Sequence, residues 1–179
     1  TEDTAHVLTA ANFGFSDVDA GDALSAVRID TLPTAGTLTL SGTAVTAGQV
    51  ITTADLAASQ LVFTPAANAN GTGYARVAFS VRDSTSLYDP TPDTLTVNVT
   101  AVNDRPTDLS LSANTVAEHA ANGTVVGTVT GSDPDAGDTK SYSLTNTAGG
   151  RFAINRTTGA LTVANRTLLN YEAATSHAV

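Results

Sequence analysis

The sequence predicts an all-β protein built as two tandem Greek-key β-sandwiches, the second incomplete. Three observations carry that expectation. Short runs alternate apolar and polar residues with period two, bounded by Gly, Pro, Asn and Asp. Thr, Ala, Val, Ser, Asn, Asp and Gly dominate while Met and Trp are absent, a vocabulary of strands and turns. An acidic block also occurs twice, 116 positions apart: Glu2 with Ser16-Asp17-Val18-Asp19-Ala20-Gly21-Asp22, then Glu118 with Ser132-Asp133-Pro134-Asp135-Ala136-Gly137-Asp138. That offset matches one sandwich of about 100 residues plus a short connection.

In chain order, Leu24–Ile29, Thr37–Leu40 and Leu61–Thr64 read as short strands, and 67–73 as an Asn- and Gly-rich loop. From Tyr74 to Arg82, Val77, Phe79 and Val81 alternate with Arg76, Ala78, Ser80 and Arg82. From Thr94 to Thr100, Leu95, Val97 and Val99 share one face. One apolar face per strand fits antiparallel sheets packed across a core. Pro106 closes the polar stretch Val102-Asn103-Asp104-Arg105 and stiffens the exit. The domains are therefore placed at 1–103 and 107–179, with 104–106 as linker. The second unit offers strands at Asp108–Val116, Gly123–Thr130, Lys140–Leu144, Phe152–Asn155 and Ala160–Val163, with Thr157-Thr158-Gly159 as a hairpin turn. Ala54–Gln60 and Leu168–Ala174 have room for a turn or two of helix each. Val179 falls where the counterpart of Tyr74–Arg82 should begin, so the second sandwich reads as lacking its last strands, with exposed edges.

Composition excludes several functions. Eight basic residues against 17 acidic ones leave a net charge of −9, which argues against nucleic acid and anionic membrane surfaces. No apolar run is long enough to span a bilayer. Without Cys there is no disulfide framework and no thiolate zinc site. His6, His119 and His177 share no ligand spacing and read as surface or packing residues. No nucleophile elbow and no phosphate loop is present.

Only three Glu occur in the chain, and two open the repeated blocks; in each copy the Asp residues follow the Glu by 15 and 17 positions. Acidic groups at fixed spacing in a charge-poor chain suggest oxygen ligands for a hard cation, Ca²⁺. Asp-x-Asp supplies two carboxylates from one tight loop, and Asn103 with Asp104 supplies two more groups from the linker. Like charges about 4 Å apart repel by roughly 1–4 kcal/mol, so such sets favour a bound cation. The plain alternative is a solvated turn, which Asp and Gly also favour. Asp22 and Asp138 are read as ligands or only as turn caps, and Asp55, Asp89 and Asp93 as surface charge.

Several motifs together resemble a known family. Ala117-Glu118, Gly123-Thr124-Val125-Val126-Gly127-Thr128-Val129, Asp133-Pro134-Asp135, Phe152-Ala153-Ile154 with Thr158-Gly159-Ala160-Leu161, and Leu169-Asn170-Tyr171-Glu172 resemble a cadherin repeat. Phe63-Thr64-Pro65-Ala66-Ala67-Asn68, Asn70-Gly71 and Ala101-Val102-Asn103-Asp104 are similar to cadherin-like repeats of large bacterial (RTX-type) surface adhesins. The linker departs from the animal pattern Asp-x-Asn-Asp-Asn at Ala101 and Arg105, which implies one or two ions rather than three. The resemblance implies that Glu2 shares Ca²⁺ with Asn103, Asp104, Asp133 and Asp135. It implies that Asp17, Asp19 and Asp83 serve a preceding repeat, and Glu118 and Glu172 a following one, with Asn68 or Asn70 standing for Glu172 in the first unit. The expected partners are neighbouring repeats of the same chain, and the expected place is the extracellular cell surface. The expected function is a calcium-rigidified adhesive rod without enzymatic activity. The alternatives are a module that binds a glycan or another copy of itself, or an accessory domain of a secreted enzyme. Exposed aromatics clustered near Tyr74, Tyr88 and Tyr142 would favour the glycan.

Overall fold

The computed structural model describes residues 1–179 and divides into two compact units, Thr1–Val102 and Asn103–Val179. The protein is all-β. In the first unit the strands are β1 (His6–Val7), β2 (Ala26–Ile29), β3 (Thr37–Leu40), β4 (Thr43–Ala44), β5 (Val50–Thr52), β6 (Leu61–Thr64), β7 (Gly71–Arg82) and β8 (Asp93–Val99), with helix α1 at Thr53–Ala57. They form two antiparallel four-stranded sheets, ordered β1-β6-β3-β4 and β5-β2-β7-β8. Alternation decides which side chains meet between them. Val27, Ile29, Val77, Phe79 and Val81 from one sheet and Leu38, Leu61 and Phe63 from the other are buried in a single core, closed by Phe13 and Leu56. Phe13 meets Phe79 edge-on, with ring centroids 5.0 Å apart.

The expected loop 67–73 is shorter than read. β7 begins at Gly71, which pairs with Val99, and a bulge before Ala75 absorbs Gly73, whose amide donates to Asn98 Oδ1 at 2.7 Å. The bulge hid this strand start, because it breaks the period of two. Helix α1 stops at Ala57, since Ser59 turns to φ +58. β1, β4 and β5 have two or three residues each and carry too little alternation to be read.

The second unit has strands β9 (Thr107–Leu111), β10 (Val125–Ser132), β11 (Phe152–Ile154) and β12 (Ala160–Val163), ordered β11-β12-β10-β9. Val126, Phe152, Leu161, Val163 and Leu169 form its buried core, with Val116, Ala120, Leu144 and Ala148 packed at the margin. Asn155 Oδ1 accepts the amides of Thr157 and Thr158, and Gly159 at φ +70 completes the turn between β11 and β12. A Cβ on Gly159 would run into the Val129 carbonyl.

Three expectations fail in this unit. Lys140–Leu144 is not a strand: Tyr142 N donates to Arg156 O at 2.9 Å, but no ladder continues from that bond. Asp108–Val116 ends as a strand at Leu111, with Ser112 N still donating to Thr128 O at 3.0 Å. Leu168–Ala174 is a 3₁₀ turn at Arg166–Leu168 followed by turns, not an α-helix. A cavity of about 400 Å³ opens on the core beside Val126, Phe152, Leu161 and Leu169.

Candidate metal sites

The duplicated acidic block folds the same way in both units. In the first, Asp19 N donates to Asp17 Oδ1 at 2.9 Å and Asp22 N to Asp19 O at 3.3 Å, with Gly21 at φ +105. In the second, Asp135 N donates to Asp133 Oδ1 at 3.1 Å and Asp138 N to Asp135 O at 3.3 Å, with Gly137 at φ +97. An Asx turn leads into a turn that needs glycine, so identical spacing becomes identical backbone.

Each loop gathers carboxylates. One oxygen each from Asp17, Asp22 and Asp83 lies within 4.8 Å of the others, and so does one each from Asp133, Asp135 and Asp138. Oxygens around a single Ca²⁺ at about 2.3–2.6 Å are at most about 5 Å apart, so both sets fit one hard cation. Each would supply three of its roughly six to eight ligands, leaving the rest to carbonyls or water. The expected trio is Asp17, Asp19 and Asp83; the carboxylates that come together are those of Asp17, Asp22 and Asp83. Asp19 is exposed at the apex of the turn, with its backbone bonded to Asp17 and Asp22, and Asp22 takes its place. Asp22 is held by Ser84 Oγ, which donates to its Oδ1 at 2.7 Å. Asp138 plays the same part in the second unit. The signal for both was present in the sequence, since each closes its block at the same position.

Asp83 directly follows β7 and is 7% exposed. Burial pushes its carboxyl up, but the Leu87 amide, the Thr85 hydroxyl and amide and the Ser86 amide outweigh that and hold it below the usual range. It is therefore a buried, hydrogen-bonded anion.

Among the junction residues, Asp104 and Asp135 come together within the second unit: Asp104 N donates to Asp135 Oδ2 at 2.6 Å. Asn103 turns its side-chain amide onto Asp104 O at 2.8 Å. Glu2 is buried in the first unit, where Oε1 accepts from Val102 N at 2.6 Å and Oε2 from Asn70 Nδ2 at 2.9 Å. Hydrogen bonds from Asn70 and then Val102 hold its carboxyl below the usual range against the opposing effect of burial. Asn70 thus anchors Glu2, a partnership that no local spacing announced, while Asn68 donates its amide to Asp3. Glu118 accepts from Tyr171 N at 3.2 Å, and Glu172 N donates to Asn170 Oδ1; both Glu are exposed. Asp55 caps α1 rather than standing as idle surface charge, its Oδ2 accepting from Thr52 N and Oγ1. His177 packs on Phe152, with ring centroids 6.2 Å apart.

Comparisons with family models, curated proteins and solved structures find no match to the chain.

Proposed function

We propose that the chain is a calcium-rigidified repeat module of an extracellular cell-surface adhesin. One observation carries this reading: a block of five residue types repeated at fixed offset adopts one loop conformation twice and gathers three carboxylates each time. The loop backbone and two carboxylates repeat, while the third comes from Asp83 after β7 in one unit and from Asp135 of the loop itself in the other. The cation would be held by Asp17, Asp22 and Asp83 in one unit and by Asp133, Asp135 and Asp138 in the other. When bound, it would neutralise charges that otherwise repel. The resemblance to cadherin-like repeats adds the expectation that Glu2, Asn103 and Asp104 join Asp133 and Asp135 in fixing neighbouring repeats, with Glu118 and Glu172 serving the next. The role is mechanical, with adhesion delivered by the longer array.

Calorimetric titration of calcium into chelator-treated protein tests the reading. Extracellular modules of this kind bind at about 10⁻⁴–10⁻³ M. Asp135→Asn should weaken binding in the second unit and leave the first unit's site intact. Absence of any binding heat up to 10 mM calcium would count against a metal role.

A further inference from the structure

The first unit contains only three basic residues, Arg28, Arg76 and Arg82, and all three lie on β2 and β7. Register places them on one face. Arg28 lies opposite Ser80, and Arg76, Ala78, Ser80 and Arg82 alternate with the core residues Ala75, Val77, Phe79 and Val81. The segment after β7 folds back over this outer face, bridging Tyr88 to Arg82. The guanidinium carbons of Arg28 and Arg82 lie 4.7 and 5.7 Å from the Tyr88 ring centroid.

Beneath the ring is a built network. Ser80, 1% exposed, donates to Asp30 Oδ2 at 2.7 Å and accepts from Arg28 Nη2 at 3.2 Å, while Arg28 Nε pairs with Asp30 Oδ1 at 2.6 Å. That ion pair ties Arg28 into the network. Arg82 is different. Ser25 Oγ accepts from its Nε at 3.1 Å and Tyr88 stacks against it, yet no carboxylate meets its Nη fork. Arg76 is exposed and also lacks an acidic partner. Exposed Thr94 and Thr96 of β8 extend the same face, opposite Ala78 and Arg76.

We infer that this face binds an acidic polysaccharide, with Arg82 holding a uronate carboxylate and Arg76 a second one along the chain. The fork of a preorganised arginine matches a carboxylate bidentately. Ser and Thr hydroxyls suit sugar hydroxyls on a flat sheet. A protein partner would want a broad apolar centre; the strands of this face offer Ser, Thr and Asn98 side chains and Ala78, with Val50 half-exposed and Leu87 exposed next to Tyr88. The inference does not rest on calcium and goes beyond the mechanical role.

Affinity electrophoresis in gels containing polygalacturonate tests it, run in chelator so that no metal bridges carboxylates. The full chain should be retarded by polygalacturonate and not by its fully methyl-esterified form. Retardation should fade as salt is raised. Arg82→Gln should weaken binding at least tenfold, and Arg82→Lys, which keeps the charge but loses the fork, should fall between. Arg156→Gln, which removes an exposed charge from the second unit, should bind as the parent chain does. Equal melting temperatures establish that each variant is folded; were Arg82→Gln to misfold, Arg76→Gln and Arg82→Lys carry the same test. No retardation of the parent chain, equal binding of the methyl ester, or full affinity in the folded arginine variants would overturn the inference. So would sedimentation showing self-association that Arg82→Gln abolishes without any polygalacturonate binding, since the face would then belong to a second copy.

Discussion

At the residue scale the fold depends on short-range polar bonds that the sequence only partly discloses. Asp55 and Thr52 exchange bonds at the start of α1: the side chain of each accepts the amide of the other. The Thr52 hydroxyl and then its amide hold the Asp55 carboxyl below 3.8. A carboxyl whose pKa falls on folding contributes its full stability above the unfolded pKa and loses it as pH falls through the folded one. Stability owed to Asp55 should therefore be complete above pH 3.8 and decline below it. Melting temperatures of Asp55→Asn and the parent chain should differ at pH 6, and the gap should narrow as pH falls below 3.8; an unchanged gap would disprove the linkage. Thr52→Ala, which removes the cap, should cost about 1 kcal/mol in chemical denaturation. The Thr-x-x-Asp spacing was open to reading beforehand. The Asn70–Glu2 bond was not, because 68 residues separate its partners and only the folded sheets bring them together.

At the scale of elements, legibility followed strand length. β3, β6 and β12 match their expected bounds, and β7 and β8 nearly so, because one buried face imposes strict alternation. Lys140–Leu144 alternates without forming a strand, since a strand needs a partner as well as a pattern. The two units also differ in what they bury. Fourteen buried residues form the first core, and five form the second, beside an open cavity of about 400 Å³. Large cores lose more on opening, so the second unit should exchange its amides faster and be cleaved first in limited proteolysis. Early cuts confined to 1–102 would contradict this. Within the second unit Gly159→Ala should destabilise by more than about 1 kcal/mol, because positive φ and the Val129 carbonyl both oppose a Cβ there. Gly123→Ala, at φ +86 but with open space around it, should cost less.

For the whole molecule, the repeat itself was the strongest sequence signal, and its structural counterpart is one acidic loop built twice. Its carboxylate sets were only partly legible. Asp-x-Asp singles out Asp17, Asp19, Asp133 and Asp135, whereas the turns at Gly21 and Gly137 bring the closing Asp22 and Asp138 into the sets and leave Asp19 outside. Net charge −9 with eight basic residues leaves most of these carboxylates without cations of the chain's own. Calcium at ten to a hundred times its dissociation constant would add about 1.4–2.7 kcal/mol of stability. Thermal unfolding in chelator and in 10 mM calcium, at fixed ionic strength, tests this most directly. The melting temperature should rise with calcium, magnesium should be a poor substitute, and Asp22→Asn combined with Asp138→Asn should remove most of the rise. Identical melting in chelator and calcium, or a full calcium response in the double variant, would contradict it.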